Sequence, residues 1–240
     1  MRNELSAYFD DREADIDMLV LHCSALSGAD MLRVFDGLKL STHYIIDENG
    51  VLIKCVEEAK SAWHAGSGFW RGCESGFNAR SVGIEISSLS LGQEAYSESQ
   101  IQTLIPLCRE IIRRHHIPAV NIVGHSDIAP LRKADPGPAF PWQRLAEEGI
   151  GLWYHPEDAE KVSSGDMREL LAAIGYDTRG DEVFKASAYA FCRRFLPSYA
   201  QKVNDVHSLL ERVLPENFDF MREKTFLQAL KAAAYAYGLK

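Results

Sequence analysis

Apolar residues fall into short runs over the first two thirds of the chain and into helical stripes over the last third. Residues 16–22 (IDMLVLH) form one such run and predict a buried strand that ends at a histidine. Within residues 29–40, Met31, Leu32, Phe35 and Leu38 recur at helical spacing. The stretch THYIID-ENG-VLIKCV reads as two strands around an Asn-Gly pair, a strong short-range hairpin signal. Residues 59–78 (AKSAWHAGSGFWRGCESGFN) are rich in glycine and aromatics without any period, which predicts a long functional loop. A strand returns at residues 81–87 (SVGIEIS). Ser97 and Gln100 have the spacing of a capping box for a helix running to about His116, which Pro106 is expected to kink or divide. Residues 119–123 (AVNIV) predict a further strand, followed by a proline-rich loop, GHSDIAPLRKADPGPAFPW. Strands alternating with helices in this way predict an α/β domain built on one mixed β-sheet.

Polar residues and Pro156 interrupt the pattern between about Gly149 and Gly165, and no strand signal follows. We therefore divide the chain into residues 1–155 and a helical region, 156–240. Leu170, Leu171 and Ile174 suggest one short helix, while Phe184, Ala188, Phe191 and Phe195 share a face of a second. Val203, Val206, Leu210 and Val213 do the same for a third, and residues 217–237 for another, which together predict a small C-terminal helical bundle.

Composition narrows the function more than the fold. With 46% hydrophobic and 25% charged residues this is an ordinary globular mixture. A net charge of -8 without a basic run gives phosphate backbones little to hold, so a nucleic-acid partner is not expected. No apolar stretch reaches the ~20 residues of a membrane span. The opening MRNELSAYFDDREADID is acidic and lacks the apolar core of a secretory signal. Cys23, Cys55, Cys73, Cys108 and Cys192 are odd in number, scattered and in no C-x-x-C pair, which suits reduced thiols in a cytoplasm.

Four polar residues stand where apolar ones would be the default: His22, Glu85, His125 and Asp135. Two imidazoles and a carboxylate are a common protein set for catalytic zinc, which keeps a further position open for water. Such a metal lowers the pKa of water toward ~7, and a carboxylate outside its ligands can then move the proton. Spacing leaves other readings open. A histidine at a strand end is often structural, and Glu85 on an edge strand would simply face solvent.

The strings LVLHCSA, STHYIIDENGVLIKCVEE, AWHAG, SVGIEI, GHSDIAP and KADPGP, in this order, resemble the zinc-dependent N-acetylmuramoyl-L-alanine amidases of AmpD/AmiD type. That family also includes phage lysozyme-type amidases and peptidoglycan recognition proteins, and the likeness covers roughly residues 16–145. It implies a mixed sheet flanked by helices, with one Zn2+ per chain in an open groove. It further implies His22, His125 and Asp135 as the metal ligands, Glu85 as catalytic acid/base and Lys133 as the stabiliser of the tetrahedral intermediate. Lys133 and Asp135 would face the same side if their loop were extended. Trp63, His64 and Ala65 of AWHAG, with Asn78 and Arg80, resemble the wall that binds substrate, whereas His43 reads as structural.

The C-terminal segment DMRELLAAIGYDTRGDEVFKASAYAFCRRFLPS is similar to the peptidoglycan-binding module of AmiD-type enzymes, although Cys192 stands where that module usually has glutamine. The resemblance implies hydrolysis of the amide between N-acetylmuramic acid, intact or 1,6-anhydro, and the L-alanine of stem peptides. Muropeptides would be the partners. The alternatives are a peptidoglycan receptor without catalysis and a hydrolase that cuts elsewhere. The free thiols and the acidic start favour a cytoplasmic recycling enzyme, and the helical appendage favours the periplasm or cell envelope.

Overall fold

The computed structural model describes residues 2–163, 165–203, 214–215 and 218–239. Its first strands are β1 (Arg2–Asn3), β2 (Phe9–Asp11) and β3 (Met18–Ser24). After helix α1 (Gly28–Leu38) come β4 (Tyr44–Ile46) and β5 (Leu52–Lys54), the expected hairpin. Gly50 takes φ 81° at its tip, and the Asp47 carboxylate accepts from the N–H groups of Asn49 and Val51. Next are β6 (Lys60–Ala62), α2 (Phe77–Arg80), β7 (Ser81–Ser87), α3 (Glu98–His115) and β8 (Ile122–Gly124).

Six strands make one mixed sheet in the order β1-β5-β4-β7-β3-β8. Only β4 and β5 pair antiparallel within it. Strands β3 and β7 are central, β7 buried along its whole length and β3 up to Cys23. Alternation sorts their residues cleanly. Leu19, Leu21, Val82, Ile84 and Ile86 pack with Ile101, Leu104, Cys108 and Ile111 of α3 in one core cluster. The opposite face carries Met18, Val20 and His22 on β3 and, in register with them, Ser81, Gly83 and Glu85 on β7. This second face is covered at the β4 side by Met31 of α1 against Ile45. At the β8 side it is covered by the C-terminal helices, leaving polar residues between the two.

Several expectations need correction. The predicted loop over residues 59–78 contains β6, which pairs antiparallel with β2 in a separate two-stranded ribbon. Pro106 does not divide α3, which runs as one helix behind its Ser97/Gln100 capping box. Pro106 and Gln102 both face solvent, so water can satisfy the carbonyl that the proline leaves unbonded. The predicted strand at 119–123 starts with a single 3-10 turn, Ala119–Asn121. The proline-rich loop opens with a short helix, α4 (His125–Ile128), and leads into another, α5 (Trp142–Glu147).

Helices α6 (Met167–Ile174), α7 (Asp181–Phe195), α8 (Pro197–Val203) and α9 (Lys224–Ala236) follow. Val206, Leu210 and Val213 of the expected third bundle helix lie outside the described residues. The α6–α9 core is continuous with the sheet: Leu170, Phe191, Phe195 and Leu230 belong to the same buried cluster as Met18, Val20 and Val123. Cys192 is buried in that cluster.

A buried ion pair crosses this junction. Arg194 of α7 donates to Asp127 Oδ2 at 2.7 Å and to the Ile122 carbonyl at 3.1 Å, while Tyr176 donates to Asp127 Oδ1 at 2.7 Å. Removing one partner would strand the other charge, so Arg194→Met is expected to cost about 3–5 kcal/mol in urea unfolding. A second charged cluster titrates. Burial raises the Glu58 carboxyl, but bonds from Arg114, Tyr44 and His115 outweigh it and bring it from 4.5 down to about 2. Its contribution to stability is full above about 4.5 and is lost as pH falls toward about 2, so Glu58→Gln is expected to flatten the acid limb of stability against pH.

Candidate metal centre

The parallel strands β3, β7 and β8 all end on one side of the sheet, where open α/β sheets commonly hold ligands. His22 lies on β3 directly opposite Glu85 on β7. His125 is the first residue after β8, and Asp135 arrives from the following loop. His22 Nδ1 is 2.9 Å from His125 Nδ1, and Asp135 Oδ2 is 3.1 Å from the first and 3.3 Å from the second. Among the described residues this is the one group of three or more such side chains whose ligand atoms converge, all within 4.8 Å.

The remaining nitrogens are engaged. His125 Nε2 lies 2.9 Å from the Ala65 carbonyl and His22 Nε2 lies 2.9 Å from His64 Nδ1. A carbonyl only accepts, so His125 carries its proton on Nε2 and turns a lone pair toward the centre. Burial and neighbouring His125 push His22 down to about 4 despite Asp135, so the imidazole is neutral at ordinary pH. Asp135 brings a carboxylate oxygen to the same point, 3.1 and 3.3 Å from the two Nδ1 atoms. Lone pairs and an anionic oxygen thus meet in a buried spot, a donor set suited to a divalent cation.

Glu85 stands beside this set and outside it. Its strand is central, so the solvent-facing alternative fails: the residue is 8% exposed. Ser24, two residues beyond His22 on the same strand face, donates to Glu85 Oε2 at 2.9 Å. Burial and the Asp135 charge push the Glu85 carboxyl up to about 8 against the opposing pull of Ser24 and Lys133. A carboxyl with affinity for a proton near neutrality has the character of an acid/base group.

Glu85, Asp135, His125, Lys133, Trp63 and Asn78 all line one groove of about 320 Å³. Lys133 reaches it from a turn rather than an extended loop, because its N–H and that of Arg132 both bond to the Ala129 carbonyl at 2.9 Å. A larger surface groove of about 680 Å³, lined by Tyr44, Glu58 and Arg114 among others, contains none of this converging set.

The expected substrate wall separates into different parts. Trp63 is half-buried at the groove, its indole N–H donating to Asp10 at 2.7 Å. Asn78 organises the loop beneath: its Oδ1 accepts from the N–H groups of His64, Ala65 and Gly66 at 3.3, 2.8 and 3.1 Å. Ala65 presents its carbonyl to His125 and to Arg132, at 2.9 and 3.2 Å. Arg80 does not line the groove; its guanidinium forks onto the Asp17 carboxylate, with Nε at 2.7 Å from Oδ1. His64 is held under His22. His43 is buried, accepting from the Gly83 N–H at 2.9 Å on Nδ1 and facing the Lys60 carbonyl with Nε2, as a structural residue does.

Sequence reasoning missed Ser24 and Arg132. The first was detectable, since strand alternation puts it on the face of His22. Arg132 offers no such signal, because its bonds to Ala65 and Ser67 are contacts across more than sixty residues.

A family model described as N-acetylmuramoyl-L-alanine amidase matches residues 12–138. The chain is 38% identical over 193 aligned residues to the N-acetylmuramoyl-L-alanine amidase AmiD of Escherichia coli (strain K12), covering 69% of this chain and 68% of that protein. It is 41% identical over 108 residues to the 1,6-anhydro-N-acetylmuramyl-L-alanine amidase AmpD of the same organism, covering 45% of this chain and 57% of that one. Its fold is similar to that of E. coli AmiD in complex with the substrate anhydro-N-acetylmuramic acid-L-Ala-D-gamma-Glu-L-Lys, with TM-score 0.74 and 30% identity over 95% of this chain and 93% of the other. AMPDH3 from Pseudomonas aeruginosa gives TM-score 0.75 and 29% identity over 93% of both chains.

Proposed function

This chain belongs to the N-acetylmuramoyl-L-alanine amidase family, and from that premise we propose that it uses zinc to release stem peptides from muropeptides. The bond cut is the amide between the lactyl group of N-acetylmuramic acid and L-alanine. The observation that carries this reading is the buried Glu85 carboxyl in the groove lined by His125 and Asp135, whose donor atoms converge with that of His22. Those donors fit the ion: tetrahedral bonds of ~2.0–2.1 Å place ligand atoms roughly 3.3 Å apart, and the three separations here run from 2.9 to 3.3 Å. When bound, zinc would polarise the scissile carbonyl and acidify the attacking water.

The rest of the chemistry falls to the chain. Glu85 takes the proton of the attacking water and passes it to the leaving L-alanine nitrogen, a two-way role that its raised proton affinity supports. The Lys133 ammonium, in the same groove, offsets charge that develops on the carbonyl oxygen. Trp63 offers an apolar wall for the bound fragment. Two similar proteins form complexes with anhydro-muramyl peptides, which supports an anhydro-muropeptide as a substrate.

Hydrolysis in heavy-oxygen water tests the bond assignment. The label is expected in the lactyl carboxylate of the sugar product, with an unlabelled and intact stem peptide. A label inside the peptide would place the cut elsewhere and overturn this reading.

A further inference from the structure

We infer that His64, through a hydrogen-bond relay anchored on the Phe77 carbonyl, fixes the tautomer of His22 and so is a positioning residue for the metal rather than a substrate contact. The relay is short and partly buried, with His64 at the edge of the groove. Phe77 O accepts from the Ser81 hydroxyl, Ser81 Oγ lies 3.2 Å from His64 Nε2, and His64 Nδ1 lies 2.9 Å from His22 Nε2.

Its polarity follows from its first member. A carbonyl has no proton to give, so Ser81 donates its single hydroxyl proton to Phe77. The Ser81 oxygen can then only accept, which places the proton of His64 on Nε2. His64 Nδ1 is left with a lone pair, so His22 must donate from Nε2. The lone pair of His22 therefore falls on Nδ1, the atom 2.9 Å from His125 Nδ1 and 3.1 Å from Asp135 Oδ2. Ala65 O sets His125 in the same sense by a single bond. Both imidazoles are thus pre-set as ligands by backbone carbonyls that lie outside the centre, one directly and one through two side chains.

The sequence makes room for the relay. Ser81 and Gly83 alternate onto the same face of β7 as Glu85. A Cβ at Gly83 would stand 2.5 Å from His64 Nδ1, so the ring lies flat on a strand position that tolerates no side chain. The Asn78 carbonyl oxygen, bonded to the His64 and Ala65 N–H groups, fixes the backbone that carries the His64 ring and the Ala65 carbonyl. His64 and His22 meet edge to face, with ring centroids 5.1 Å apart.

This inference rests on the zinc reading above, and its test separates the two. In zinc-loaded protein, nitrogen NMR of the imidazoles is expected to show His64 protonated on Nε2 and bare on Nδ1. A proton on His64 Nδ1 would overturn the relay. Zinc affinity is then compared by competition with a chromogenic chelator. His64→Phe keeps a ring over Gly83 but offers no acceptor, and is expected to weaken zinc about 10- to 100-fold, the range for lost outer partners of metal-ligating histidines. His64→Asn returns an acceptor oxygen near the place of Nδ1 and is expected to recover most of that loss. Equal affinity in wild type and His64→Phe would overturn the inference. Failure of the wild-type chain to take up zinc would overturn the metal reading itself, and the relay with it.

Discussion

Glu85→Gln is expected to keep zinc at one ion per chain and to lose turnover by about 10²–10⁴-fold, the usual weight of a general acid-base group. The substitution is nearly isosteric, and Ser24 can still donate to the remaining amide oxygen as it does to Glu85 Oε2. Binding of the fragment would therefore change little while proton transfer fails. The measurement is kcat on a muropeptide alongside zinc content by emission spectroscopy. Turnover within about threefold of wild type would remove Glu85 from the mechanism, because the range for proton transfer begins well above that.

Asp135→Ala is expected to act on the other half of the centre. Asp135 Oδ2 lies within 3.3 Å of both histidine nitrogens and supplies the only negative charge of the donor set. Without it two imidazoles remain, fewer than the three protein ligands of catalytic zinc sites. The purified variant is expected to hold well below one zinc per chain and to be inactive, with activity partly recovered only at high added zinc. Full zinc content in Asp135→Ala would mean that another group completes the site. The two variants thus fail for different reasons, one with the metal and one without it.

What could be read from the sequence follows the range of the interaction involved. Strand β3 is written in consecutive apolar residues, β7 in alternating ones, the hairpin in Asn49–Gly50, and the start of α3 in the Ser97/Gln100 pair, all local signals. The ribbon of β2 and β6 was not readable. Each strand has three residues, and their pairing joins segments some fifty residues apart. That α3 is not divided at Pro106 could not be read either, because the position's exposure to water is set by the fold.

The site shows the same division. His22 and Glu85 stood out as polar residues within apolar strands, but their being opposite one another is a matter of sheet register. His22 and Asp135 are 113 residues apart, so no spacing rule could join them; family likeness did. That likeness also drew Arg80 into the substrate wall, whereas Asp17 holds it away from the groove. His64 does line the groove, as the likeness implied, but its contacts with the Gly83 surface and the Ser81 hydroxyl come from the fold and could not be read from the sequence.

The most direct test of the account is the mass of the products formed from a purified anhydro-muropeptide by zinc-loaded protein, by protein stripped with chelator, and by stripped protein resupplied with zinc. The account predicts free, intact stem peptide with the loaded protein, none after stripping, and its return when zinc is restored. Cleavage that survives stripping, or no stem peptide from protein carrying a full complement of zinc, would contradict it.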